Sequence, residues 1–329
     1  VTVAATAVAL VIGGSALVWP DGPGGADAAR PARYLNAMLG SRPAVTLPQT
    51  PDRLNAVVFS PDGRLLAAAG EDSTVRLYDA TERRQTAVLK GHAHAVFSLA
   101  FSPDGRTLAS AGYDGTVVLW DVPRGRKRAV LSPGQGVIGT VAFSLDGRLL
   151  AAAGTRGVQV WDAGTRRPLR SFGHGEAHFV TAFGPRGELA VAGTETLRLW
   201  HPAKRSEPTV LGTTGTFVRA VAVSPYGTSV AAAGDNGRVT LWDLQTRRPT
   251  AVLGHDRSVH AVAFGPDGQT LAAASGSTVT VWHVASRSKV RTLTGHTGTV
   301  AAVGYSPDGR LLVTAGHDNT LRLWDLTSP

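Results

Sequence analysis

Histidine, serine and aspartate occur together as His92, Ser110 and Asp114. The same spacing returns at His296, Thr314 and Asp318. A hydroxyl beside an imidazole that a carboxylate orients is the constellation of nucleophilic hydrolysis. Two other groupings are loosely metal-like, His92-Ala93-His94 and His174 with His178. Neither has a third ligand nearby, so no metal site is expected. The Asp-Gly pairs lack the alternating oxygen ligands of a calcium loop. Residues 22–25 hold glycines in a linker context, and no phosphate-loop or G-x-S-x-G motif occurs. The chain has no cysteine, which removes disulfides, thiolate catalysis and thiolate zinc. No cofactor is called for.

These residues sit in a repeated text. Residues 91–121 (GHAHAVFSLAFSPDGRTLASAGYDGTVVLWD) contain three short apolar runs, each ended by a Pro, Gly or Asp turn. Such runs read as antiparallel strands. The first strand of each unit ends at Phe59, Phe101, Phe143, Phe183, Val223, Phe264 and Tyr305, so the period is 40 to 42 residues. The following turns are SPDG, SPDG, SLDG, GPRG, SPYG, GPDG and SPDG. Units close on Tyr78-Asp79, Trp120-Asp121, Trp161-Asp162, Trp200-His201, Trp242-Asp243, Trp282-His283 and Trp324-Asp325. Gly-His precedes four of them, at His92, His174, His255 and His296.

Period, Gly-His, turn and Trp-Asp together resemble the WD40 repeat family over residues 42–329. The resemblance implies an all-β, seven-bladed propeller of four-stranded antiparallel blades. In that family a repeat supplies the outer strand of one blade and three inner strands of the next. Only four residues follow Trp324-Asp325, so residues 42–47 are expected to complete the last blade and close the ring. The resemblance also makes His92, Ser110, Asp114 and Trp120, and likewise His296, Thr314, Asp318 and Trp324, buried hydrogen-bonded tetrads that pin their blades. That reading displaces the hydrolase one, because a buried aspartate needs partners and a histidine with a hydroxyl supplies them. The first repeat has Ala68, Asp72 and Tyr78 without a histidine. The third has Ala152 and Arg156, and the fifth Ala232 and Asn236. The third, fourth and sixth are one residue short before the tryptophan. Stability is therefore expected to vary around the ring.

Loops carry recognition. By resemblance, partner-contacting positions lie at the start of the first strand and just before the turn aspartate. The residues singled out are Arg53, Asn55, Phe97, Tyr113, Phe179, Phe217, Arg219, His260 and His317. Exposed aromatics and arginines are common hot spots of protein interfaces. A central-channel enzyme would need convergent carboxylates or histidines there, and those strands supply mostly Ala, Val and Leu. The opposite face carries basic hairpins: Arg83, Arg84, Arg126, Lys127, Arg128, Arg166, Arg167, Arg247 and Arg248. Anionic lipid headgroups are the expected partner there. Nucleic acid is disfavoured because no aromatics interleave with these turns.

A net charge of +9 over 329 residues permits anionic partners without choosing one. Residues 1–19 hold no charged side chain and would span about 28 Å as a helix. A transmembrane anchor ending at Trp19 and Pro20 is one reading, and a signal peptide cleaved near Ala26-Asp27-Ala28 the other. Residues 20–41 read as a Pro/Gly/Ala-rich linker. Its acidic flank points to a propeller outside the cytoplasm, with a soluble cytoplasmic scaffold as the alternative, and a monomeric ring is expected. The function expected is a non-catalytic, membrane-anchored protein-interaction scaffold or sensor. It could also be the sensor region of a longer signalling chain.

Overall fold

The computed structural model describes residues 45–47, 50–134, 136–173, 178–204 and 207–327, and only the backbone of His178 and Phe179. The expected apolar helix, the linker and residues 42–44 lie outside the described residues. Among the described residues no helix is long and apolar enough to cross a membrane.

Seven four-stranded antiparallel sheets are arranged as the blades of a propeller. Blade 2 consists of Val96–Phe101, Thr107–Gly112, Val117–Asp121 and Arg126–Leu131. Blades 1 and 3 to 7 start at Leu54, Ile138, His178, Val218, Val259 and Val300. Each first strand packs beside those of its neighbours, with blade 7 against blade 1. In blade 7, Val45 and Thr46 pair with Leu323 and Arg322 as the outermost strand. Leu47 continues this edge, its N–H donating to Leu321 O at 2.9 Å, and is 1% exposed.

The second strands explain how the sheets approach. Leu-Leu-Ala-Ala-Ala-Gly occurs in blades 1 and 3, with close variants elsewhere. Small side chains let neighbouring sheets pack face to face near the axis, while a large ring on the third strand fills the wider outer gap. One core cluster accordingly joins Ala231 and Ala233 of blade 5 to Phe264, Ala273 and Trp282 of blade 6.

Local polar chemistry fixes both ends. In the first turn of blade 1, Ser60 Oγ donates to Asp62 at 2.6 Å and accepts from Leu65 N–H, with Gly63 at φ 72°. The same Ser-to-Asp bond forms in blades 2, 3 and 7. The Asp of Trp-Asp caps the next hairpin, as Asp243 does by accepting from Thr246 N–H and Oγ1. Ala80 N–H donates to Arg64 O, and Val122 N–H to Arg106 O. These bonds place the first turns and the basic hairpins on one face of the ring.

Candidate functional site

The His-Ser-Asp residues do assemble, as a buried network that also takes in the tryptophan. His92 Nδ1 lies 2.8 Å from Asp114, its Nε2 2.7 Å from Ser110 Oγ, and Trp120 Nε1 donates to that same oxygen at 2.8 Å. Donor counting fixes the protons: His92 donates through Nδ1, and Ser110 donates to its Nε2. Ser110 is 0% exposed, so no substrate carbonyl can reach it. Blade 7 repeats the network, with His296 at 2.9 Å from Asp318 and 2.7 Å from Thr314, and Trp324 at 2.9 Å from Thr314. Burial pushes both histidines below their ordinary pKa, against the pull of the aspartates, so each stays neutral. Burial alone would raise Asp114. Hydrogen bonds from Thr116 and Ala93 N–H, and the nearby His92, outweigh it and hold the carboxyl low.

The incomplete repeats improvise. In blade 1, Arg76 pairs with Asp72 at 2.5 Å and is itself buried. It lies opposite Ala68, where blade 2 has Ser110. In blade 6, Trp282 donates directly to His255 Nε2 at 3.2 Å, without a bridging hydroxyl. In blade 5, Trp242 Nε1 is buried with no hydrogen-bond partner among the described residues. The sequence pointed to the missing histidines but not to Arg76, because its role depends on strand register.

The other face is built from strand entries and second turns. Backbone bonds clamp them: Glu71 N–H to Arg53 O, Tyr113 N–H to Ala95 O, Asp235 N–H to Phe217 O and His317 N–H to Thr299 O. Every first strand then carries a register shift at one residue. The extra residues are Asn55, Phe97, Gly139, Phe179, Arg219, His260 and Ala301. A β-bulge re-aims the side chain it carries. One face thus repeats the device in all seven blades, with Arg219 and His260 partly exposed and Asn55, Phe97, Gly139 and Ala301 buried.

The singled-out residues divide. Arg53 is exposed, and Tyr113 is 53% exposed. Arg219 forms an ion pair with Asp235 and lies 5.7 Å from the half-buried Phe217 ring. His260 and His317 are half-buried. Burial first, then Arg219 and His317, push His260 down to about 4. Burial and Arg53 likewise lower His317, whose Nε2 is buried without a hydrogen bond among the described residues. Two expectations need correction. Phe97 is 4% exposed, its ring held edge-on 6.3 Å from Tyr113, so it supports the surface from below. Asn55 is 1% exposed and donates to Glu71 at 2.9 Å and Val96 O. Phe179 occupies a bulge, and its side chain lies outside the described residues.

On the opposite face Arg83, Arg84, Arg126, Lys127, Arg128, Arg166, Arg167, Arg247 and Arg248 are all exposed. Arg83, Arg166, Arg247 and Arg287 share a left-handed backbone (φ 57 to 63°) that blade 2 gives to Gly125. A side chain there costs about 1 kcal/mol relative to glycine. The outer strands beside them expose Val88, Val130, Leu169, Val210, Val252 and Val290. Pro168, Pro249 and the basic side chains are the usual guards of such edges.

The family model described as WD domain, G-beta repeat matches residues 41–79, 83–121, 126–162, 206–243, 247–283 and 287–325. The chain belongs to the WD40 family. The fourth repeat, whose turn is GPRG, is the unmatched one. Over 46 residues the chain is 39% identical to the general transcriptional corepressor TUP1 of Saccharomyces cerevisiae, covering 14% of this chain and 6% of that protein.

Proposed function

We propose that this propeller is a non-catalytic platform that holds a partner protein on its bulged loop face. The observation that carries the reading is the sevenfold bulge: the backbone device is constant, and it brings Arg219 and His260 partly to the face while Asn55, Phe97, Gly139 and Ala301 stay buried beneath it. That is what a surface tuned for one partner requires. The contact residues would be Tyr113, Phe217, Arg219, His260, His317 and Arg53, with Phe179 between them in the ring. Tyr113 offers a rigid aromatic, and Arg219 a guanidinium already oriented by Asp235.

The opposite face is read as the one toward anionic headgroups. Strain tolerated at four arginines supports a use for their charge. Val45 lies at the basic-face end of its strand, opposite Leu323. If the anchor expected at residues 1–19 joins the ring from that side, it would set this face against the membrane. The platform would then serve as an extracytoplasmic scaffold or sensor, alone or within a longer signalling chain. Proximity labelling from the intact protein, followed by binding titrations with Tyr113→Ala and Arg219→Ala, tests the loop-face reading. Both should weaken the labelled partner by about 2 kcal/mol; unchanged affinity in both rejects this face. Flotation with vesicles of neutral or anionic lipid tests the other, and binding of residues 42–329 indifferent to lipid charge would reject it.

A further inference from the structure

We propose that a slot between blades 6 and 7, on the face of the basic hairpins, seats a cationic side chain from a partner protein. The slot is a cavity of about 270 Å³, with Pro266, Val290 and Leu326 among its apolar walls. Its polar lining comes from Asp267, Asp308, Tyr305, Thr270 and Arg291.

Three features distinguish it from the other blades. First, Tyr305 stands where the other repeats have Phe59, Phe101, Phe143, Phe183, Val223 and Phe264. Tyr305 lines the slot and is 9% exposed, and its hydroxyl, buried beside Thr270, makes no well-formed hydrogen bond among the described residues. A buried hydroxyl left this way is costly unless something completes it. Second, Gly265 replaces the serine that elsewhere holds the turn aspartate. Asp62, Asp104, Asp146 and Asp308 each accept a serine hydroxyl at 2.5 to 2.6 Å. Asp267 accepts from Gln269 N–H instead, so its carboxylate keeps acceptor capacity. Third, Arg291, the cation lining the slot, has a guanidinium nitrogen committed to Asp325 O at 3.1 Å.

An occupant must bring hydrogen-bond donors and positive charge at its tip and an aliphatic stem behind it. Arginine and lysine both have that form. The stem would lie along Pro266, Val290 and Leu326, and the head between Asp267 and Tyr305. The site is separate from the loop face and does not depend on it.

The test titrates the full chain, isotope-labelled at tyrosine, with capped arginine, capped lysine and capped citrulline, the last a neutral analogue of arginine. A saturable shift of the Tyr305 resonance is expected with arginine or lysine, and about tenfold weaker binding with citrulline. Asp267→Asn, in an exposed turn, should weaken the cation by about fivefold or more at unchanged melting temperature. Val290→Trp, at the exposed mouth, should block it. Absence of saturation at about 20 mM, equal binding of citrulline, or an unaffected Asp267→Asn would each overturn the assignment.

Discussion

Two pairs of histidines in this ring look alike in sequence and differ in their company. His92 and His296 are almost fully buried, and both ring nitrogens are partnered by an aspartate and a hydroxyl. His260 and His317 are half-buried beside Arg219 and Arg53. No hydrogen bond to the His260 ring forms among the described residues, and His317 Nε2 is buried and bare. The first pair completes networks that lock a blade. The second pair carries a desolvation cost that the fold does not offset, at bulge and turn positions of the loop face. Unmet hydrogen-bonding capacity at a surface marks a place where a partner can supply what is missing.

Substitutions can break this contrast, and the largest effect belongs to the locked pair. His296→Ala leaves Asp318 and Thr314 without their partner and should cost about 3 kcal/mol in denaturant unfolding. Phe97→Ala belongs with it. A 4%-exposed ring is structural, and its loss should cost about 3 kcal/mol. A matched pair sharpens the point. Trp324→Phe removes a donor that Thr314 uses and should cost about 1 kcal/mol or more, whereas Trp242→Phe removes a buried N–H without a partner and should be close to neutral.

The pH dependence is intermediate in size. His255 and His260 both have folded-state pKa values of about 4, below the ordinary 6.5. The unfolded chain therefore binds their protons first as pH falls. Their contribution to stability is complete above pH 6.5 and is lost progressively as pH falls toward 4. His260→Gln should flatten that loss, measured by melting temperature across the interval. An unchanged profile would show that His260 is not the buried neutral group described. Smallest of all, Arg166→Gly should relieve left-handed strain and change stability by about 1 kcal/mol or less, with the gain from strain relief opposed by the added flexibility of glycine.

Much of the architecture was legible because it is written in local chemistry. Pro-Asp-Gly turns, Trp-Asp endings and the 40-to-42-residue period define strands and blades without long-range information. Tetrad membership followed from the resemblance to the WD40 repeat, carried over residue by residue. The bulges were not legible, because a bulge is a property of two paired strands and nothing in Arg219 or Phe97 alone marks an unpaired residue. Phe97 was expected on the surface by resemblance, from its place at the start of the first strand. Val96, Phe97 and Ser98 are all buried in succession, so the alternation that separates core from surface does not apply there. Arg76 escaped notice for a related reason, since its tie to Asp72 needs the register that sets it opposite Ala68.

The central claim is that the bulged loop face holds the partner, and a two-face titration tests it most directly. Affinity for the captured partner should fall about tenfold or more in Tyr113→Ala and in Arg219→Ala and stay unchanged in Arg167→Ala on the opposite face, with all three variants folded. A partner that ignores the two loop-face changes and weakens with Arg167→Ala would contradict the account.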